Sequence, residues 1–220
     1  MSFLTRLKQL PYRVMRRFAI ANQTLFFGCE FASLSRVPCP EGLTVVQWSE
    51  GDLRQHLGEE NYLDEGHAFW LRDDRAMCFA AMDGERLAGF AWIALGDVPA
   101  EMNHDGHPDT QLPLFLPDNT GFVFHVFILP SYRGRRLYAV LMSHVAQQLP
   151  TRGIDRLVLT TECTNRSALR SVGRMGFREV GRAWLIKVGP ICSVGYPEQP
   201  FFGGVRTGAY VGDLHERIND

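Results

Sequence analysis

The sequence predicts a mixed α/β (α+β) domain, and three stretches carry that prediction. Residues 121–149 (GFVFHVFILPSYRGRRLYAVLMSHVAQQL) read as an apolar strand, a tight basic turn and an amphipathic helix. Residues 77–95 read as two apolar strands joined at Asp83-Gly84, a strong hairpin signal. Residues 156–188 alternate strand, helix and strand. The helix after residue 137 makes the strands at 122–129 and 156–161 parallel neighbours if it is a right-handed crossover.

Composition narrows the functional class. The 220 residues can bury a full core and are most simply one domain with extensions. Lys and Arg (23) nearly balance Asp and Glu (24), so no overall basic field points to nucleic acid, and none is expected as a partner. Cys29, Cys39, Cys78, Cys163 and Cys192 are scattered, without a CxxC pair. They suggest neither a zinc site nor a disulfide framework, and the expected compartment is the reducing cytoplasm. No apolar run reaches membrane-spanning length, and no signal peptide is expected, because the basic start is not followed by an apolar run with a cleavage site.

Residues 1–28 carry Arg6, Lys8, Arg13, Arg16 and Arg17, with Phe3, Leu4, Leu7 and Leu10, then Val14, Met15 and Phe18, at helical spacing. They are expected to form a basic helical arm packed on the domain. Contact with anionic lipid or an acidic partner is a further possibility that is not favoured. Pro38 and Pro40 set a boundary, giving an arm over 1–41, a domain over 42–189 and an extension over 190–220. Leu43–Trp48 is a short strand, and Ser49 caps a helix running through Leu53 and His56. A second short helix is expected within 59–75. There Asp64, Glu65 and His67 read as an exposed helix end rather than as groups that read an amine. Residues 96–120 contain four prolines and read as a long, functional loop. Its His104-Asp105-Gly106-His107 lacks the scaffold and further ligands of a metal site, and no metal is expected. The strand at 122–129 is apolar throughout and therefore central. Val140, Leu141, Val145 and Leu149 form the buried stripe of the next helix, which Pro150 ends, and His144 beside the stripe reads as a core histidine. A helix over 165–175 ends at Gly176, and 177–188 is a strand. The tail after Pro190 is expected to add an irregular strand and then fray.

A turn that delivers a strand into a helix presents N–H groups at the positive end of the helix dipole, which suits a phosphate. Arg133, Arg135 and Arg136 crowd this one. The turn YRGRRLY (132–138), followed by NRSALRSVGRMGF (165–177), resembles the GNAT superfamily of acyl-CoA-dependent N-acyltransferases over roughly residues 42–189. The family's turn runs Gln or Arg, two residues, Gly, one residue, Gly or Ala. Arg133 holds the first place here, while Arg136 and Tyr138 stand where the small residues are expected. The resemblance implies a largely antiparallel sheet whose central parallel strand pair splays at the cofactor site, flanked by helices. It implies that acetyl-CoA or another acyl-CoA is the co-substrate. Val126, Phe127 and Ile128 would offer main chain to its pantetheine arm. Arg133, Gly134, Arg135, Arg136, Leu137 and Tyr138 would cradle its pyrophosphate, and Asn165 would sit beside the pantetheine or simply cap its helix.

The acceptor chemistry is less marked. Amine attack on a thioester needs a neutral amine, a polarised carbonyl and a proton for the thiolate. The family's usual tyrosine acid falls at Val172, and the glutamate base of some members falls at Thr160. His125 and Glu162 are the candidate catalytic residues, and Tyr132 is a weaker one. His125 reads equally as a base and as a buried histidine held by a hydrogen bond. The expected activity is transfer of an acyl group, most simply acetyl, to the amine of a small molecule or a protein. The alternatives are a non-catalytic CoA-binding sensor or scaffold module, and acyl transfer from an acyl carrier protein docked on the arginines.

Overall fold

A computed structural model of the chain describes residues 19–58, 63–72, 75–103 and 108–212. The basic stretch 1–18, with most of the expected helical arm, and residues 104–107 lie outside the described residues. The first described element is strand β1 (Ile20–Glu30). This corrects the helical reading of that stretch. Ala21, Asn22, Phe26 and Phe27 are all buried, so the run is apolar because both faces of the strand are covered.

Strand β2 (Leu43–Trp48) leads into helix α1 (Glu50–Gln55), which starts with a full capping box. The Ser49 side chain accepts from Asp52 N–H, and Asp52 reaches back to Ser49 N–H at 2.8 Å. Helix α2 (Glu65–Arg72) follows. Strands β3 (Ala76–Asp83) and β4 (Arg86–Leu95) form the hairpin read from Asp83-Gly84, with Gly84 at φ +61°. The long loop is more structured than its prolines suggest. It carries short 3-10 turns at Ala100–Met102 and Pro108–Thr110 and the two-residue strand β5 (Leu114–Phe115). Val98, Leu112 and Leu114 are fully buried along it. Strand β6 (Thr120–Ile128), helix α3 (Leu137–Gln148), strand β7 (Arg156–Glu162), helix α4 (Arg166–Arg174) and strand β8 (Arg178–Val188) follow the sequence reading closely. Gly176, at φ +97°, ends the α4 segment where an added Cβ would meet Ser33 O at 2.5 Å. Past Pro190 the chain does not fray at once. Strand β9 (Ile191–Gly195) extends the sheet, β10 (Arg206–Thr207) pairs with β5, and Val205 and Tyr210 are fully buried.

The large sheet has eight strands in the order β2-β3-β4-β6-β7-β1-β8-β9. Its pairings are antiparallel apart from β6–β7, the central parallel pair that the crossover through α3 requires. β1 therefore fills the place between β7 and β8. Helices α3 and α4 cover one face over a core that includes Phe79, Leu141, Leu157 and Val172. The other face is covered by α1 and α2 over Trp92 and Phe90, and by residues 98–103 and 108–116 with the 201–210 segment over Phe122 and Val158. His144 lies edge-on to Phe79 at 5.9 Å, as a core histidine would, and burial lowers its pKa.

Candidate active site

The site begins where the central ladder stops. β6 and β7 pair in parallel from Thr120↔Arg156 to Val123↔Leu159 and no further, although both strands continue. The same point on β6 carries a bulge. Between Ile93↔Val123 and Ala91↔Val126, β4 advances two residues and β6 three. A bulge puts two successive side chains on one side of a strand. Here Phe124 reaches Trp70 of α2 with ring centroids 5.0 Å apart, and His125 reaches His67 at 5.3 Å and Phe90 at 5.0 Å.

Beyond the last paired residues the diverging strands open into a cleft of about 740 Å³. Val126, Phe127 and Ile128 form one wall, and Leu159, Thr160 and Thr161 form the other. Arg133, Gly134, Arg136, Leu137 and Tyr138 close one end, with Asn165, Ala168 and Val172 of the α4 segment above. All the residues read as cofactor-binding therefore meet here except Arg135, whose guanidinium lies over the Tyr132 ring at 5.3 Å. A second groove of about 730 Å³ runs along β8 against residues 196–201, away from these residues.

The turn leaves a run of backbone N–H groups uncommitted. Tyr132 and Arg133 donate their N–H groups to Leu129 O and Pro130 O, and the first α3 bond is Val140 N–H to Arg136 O. Among the described residues the intervening N–H groups, from Gly134 to Ala139, donate to no protein acceptor. Gly134 takes φ +82°, and Arg136 takes φ 61°, ψ 22°, the left-handed conformation that a glycine would adopt without cost. The departure from the expected motif thus puts a non-glycine residue in a left-handed backbone.

The arginines divide their work. Arg133 Nε donates to Ile128 O at 3.0 Å and its guanidinium sits over Phe127 at 5.8 Å, so it ties the turn to the end of β6. Arg136 is exposed and forms no ion pair with the described residues, which leaves its charge available at the mouth of the cleft. Asn165 caps α4 by accepting from Ala168 N–H at 3.2 Å and from Ser167 Oγ at 3.0 Å. Its amide nitrogen donates to none of the described residues. Capping and a place on the cleft wall are therefore compatible. Tyr138 is half-buried, and removal from water raises its phenol pKa.

The catalytic candidates separate. His125 lies on the α2 side of the sheet, and its pKa is lowered to about 4, mainly by burial, then by the neighbouring His67, with Asp64 opposing. Its imidazole is thus neutral near pH 7. Glu162 ends β7 opposite Thr24, two residues past Thr160, and the cleft wall there is Thr160 and Thr161 instead. Thr160 Oγ1 donates to Asn103 Oδ1 at 2.5 Å, and Asn103 in turn donates to Leu112 O at 2.7 Å. Tyr132 lines the cleft, and its hydroxyl donates to Asp83 at 2.8 Å, which raises its pKa. The sequence reading took His67 for part of an exposed helix end, but its side chain is only 12% exposed, and nothing local ties it to His125, 58 residues later.

A cleft opened by a splayed parallel pair, with a nest of N–H donors at its mouth, defines the class. The acetyltransferase (GNAT) family model matches residues 43–177, more than half of the chain, and the chain belongs to that family. Strand β1, which completes the sheet, lies outside the matched segment. A mycothiol acetyltransferase of Rhodococcus jostii is 31% identical over 134 residues, 59% of this chain and 35% of the relative. A second, from Rhodococcus opacus, is 29% identical over the same shares, so the chain spans about a third of the length of these curated relatives. Among solved structures, a GCN5-related N-acetyltransferase from Kribbella flavida superposes with a TM-score of 0.52 at 17% identity, covering 82% of this chain and 64% of that one. A tandem GNAT protein from the clavulanic acid biosynthesis pathway gives 0.52 at 14% identity, covering 83% and 60%. These two likenesses concern the fold.

Proposed function

We propose that the chain transfers an acyl group, most simply acetyl, from coenzyme A to an amine by direct attack. The observation that carries this reading is the coincidence, in one cleft, of the broken β6–β7 ladder and the N–H nest from Gly134 to Ala139. A pyrophosphate would sit on that nest with Arg136 beside it, where a charge-assisted bond to a phosphate oxygen is available. The pantetheine would follow the wall of Val126, Phe127 and Ile128, with the Asn165 amide facing it. When bound, acetyl-CoA supplies a thioester carbonyl open to attack.

The remaining work belongs to the acceptor side. His125 is neutral and sits at the bulge where the strands part, so its imidazole would take a proton from an incoming ammonium. Glu162 is kept as the second candidate, acting from the end of β7. Positioning supplies the rest, because a thioester is reactive once a neutral amine is held against it. The names of the matched relatives support starting with small-molecule amines, ahead of protein amines.

The test is calorimetry with acetyl-CoA, followed by thiol release over a panel of amino sugars, polyamines, amino acids and peptide N-termini. Binding with turnover supports the proposal. No binding would remove it. Binding without turnover on any amine would favour a CoA-sensing module, and product formed only from an acylated carrier protein would favour carrier-dependent transfer.

A further inference from the structure

His125 is one end of a chain of three titratable side chains. His67 Nε2 lies 3.3 Å from His125 Nδ1, and His67 Nδ1 lies 2.8 Å from Asp64 Oδ1. Asp64 N–H also lies 3.2 Å from His67 Nδ1, but the carboxylate is nearer and only accepts, so the hydrogen between Asp64 and His67 is assigned to His67 Nδ1. With that hydrogen on Nδ1, His67 Nε2 is the acceptor, and the hydrogen between the two rings belongs to His125 Nδ1. That leaves the lone pair of His125 on Nε2, which has no hydrogen-bond partner among the described residues. The rings are held edgewise by apolar neighbours. His67 packs on Trp70 at 4.8 Å and Trp92 at 5.8 Å, and His125 on Phe90 at 5.0 Å. These neighbours from α2 and β4 carry no titratable group, so the groups that reach His125 are His67 and, through it, Asp64.

We propose that His67 and Asp64 are positioning residues that fix His125 in the tautomer a base requires and offset the charge it acquires. This rests on the acyl-transfer reading of the site. His125 Nε2 takes a proton from the acceptor ammonium. The freed nitrogen pair forms the C–N bond to the acyl carbon, and the C–S bond breaks onto sulfur. Two protons leave the ammonium in all, one ending on the departing sulfur and one in water. While His125 holds its proton, its Nδ1–H donates to His67, whose own Nδ1–H donates to the Asp64 carboxylate. The Asp64 side chain is 77% exposed, so the compensating charge itself remains hydrated. The same arrangement is familiar wherever a base is oriented by a third group behind it.

A purely structural role is the competing account. Asp64 Oδ1 also accepts from Gly66 N–H at 2.9 Å and His67 N–H at 3.3 Å, as a cap on α2. Asparagine caps as well as aspartate does, so Asp64→Asn keeps the cap and removes the charge. The decisive measurement is a long-range proton–nitrogen NMR spectrum of the full chain labelled at its imidazole nitrogens. The expected result is His125 as the Nδ1–H tautomer in the native chain, shifting toward Nε2–H in His67→Ala. The same tautomer in both, or Nε2–H in the native chain, would overturn the assignment. With acetyl-CoA and whichever panel amine turns over, His67→Ala should lower kcat about 10- to 100-fold with KM for acetyl-CoA unchanged. Asp64→Asn should lower kcat less, with its unfolding midpoint kept. Full rate in both variants across the pH profile would leave these two residues structural. Failure of the acyl-transfer reading would look different: no acetyl-CoA binding by the native chain, whatever the tautomers.

Discussion

Replacing His125 by glutamine should change how folding stability depends on pH. Burial, with His67 adding to it, lowers the His125 pKa from 6.5 to about 4 in the folded chain. Once unfolded, the same imidazole titrates near its ordinary value. The sign follows from the lowered value. Above pH 6.5 both states are neutral, and the group contributes no pH dependence. As pH falls from 6.5 toward 4, the unfolded chain binds a proton that the folded chain refuses, so stability is lost at about 1.4 kcal/mol per pH unit. Over that window the loss from His125 is about 2 to 3 kcal/mol, allowing for its partial contact with solvent, and it levels off below pH 4. Glutamine does not titrate. His144 is also lowered by burial and adds a loss of the same sign, but it does so in both proteins. Urea unfolding of the two chains from about pH 7.5 to about pH 4.5 gives the difference directly. Curves that converge as pH falls would bear out the reasoning. Parallel curves would show that His125 is not a buried imidazole kept unprotonated at neutral pH.

Three further outcomes are expected. Arg133→Ala with Arg136→Ala should weaken acetyl-CoA binding about tenfold at low salt and less at high salt, read by calorimetry; unchanged affinity would end the phosphate role of the turn. Arg136→Gly should relax the left-handed backbone, raising stability by about 0.5 to 1 kcal/mol in urea unfolding while leaving the nest intact; a loss of stability would mean that the guanidinium holds the turn. Gly176→Ala should cost about 2 kcal/mol or more, since the new Cβ meets both a positive φ and the Ser33 carbonyl; a cost below about 0.5 kcal/mol would show that the α4 end can shift.

Much of the domain was readable from local signals. The Ser49 cap, the Asp83-Gly84 hairpin, the Asn165 cap and the strand–turn–helix read at 121–149 each depend on residues a few positions apart. Local sterics and hydrogen bonding settle such features before any tertiary contact forms. The turn at the mouth of the cleft was legible for the same reason, because its uncommitted donors are consecutive backbone N–H groups from Gly134 to Ala139. The helical spacing of residues 3–18 misled the reading of the next stretch. Ile20–Glu30 carries an apolar run whose place between β7 and β8 only the sheet decides.

The acceptor side depended on register. A single extra residue on β6 opposite Trp92 turns both Phe124 and His125 toward α2, and that brings His125 to His67. Strand alternation alone would have put Phe124 and His125 on opposite faces. The sequence by itself therefore determined most of the elements and the strand–turn–helix, whose partners are near neighbours in the chain. The tertiary structure decided which histidine faces which, where β1 enters the sheet and how far Arg133 is committed to the β6 end. Those outcomes are contacts between distant segments, fixed by strand pairing and packing and carried by no local period.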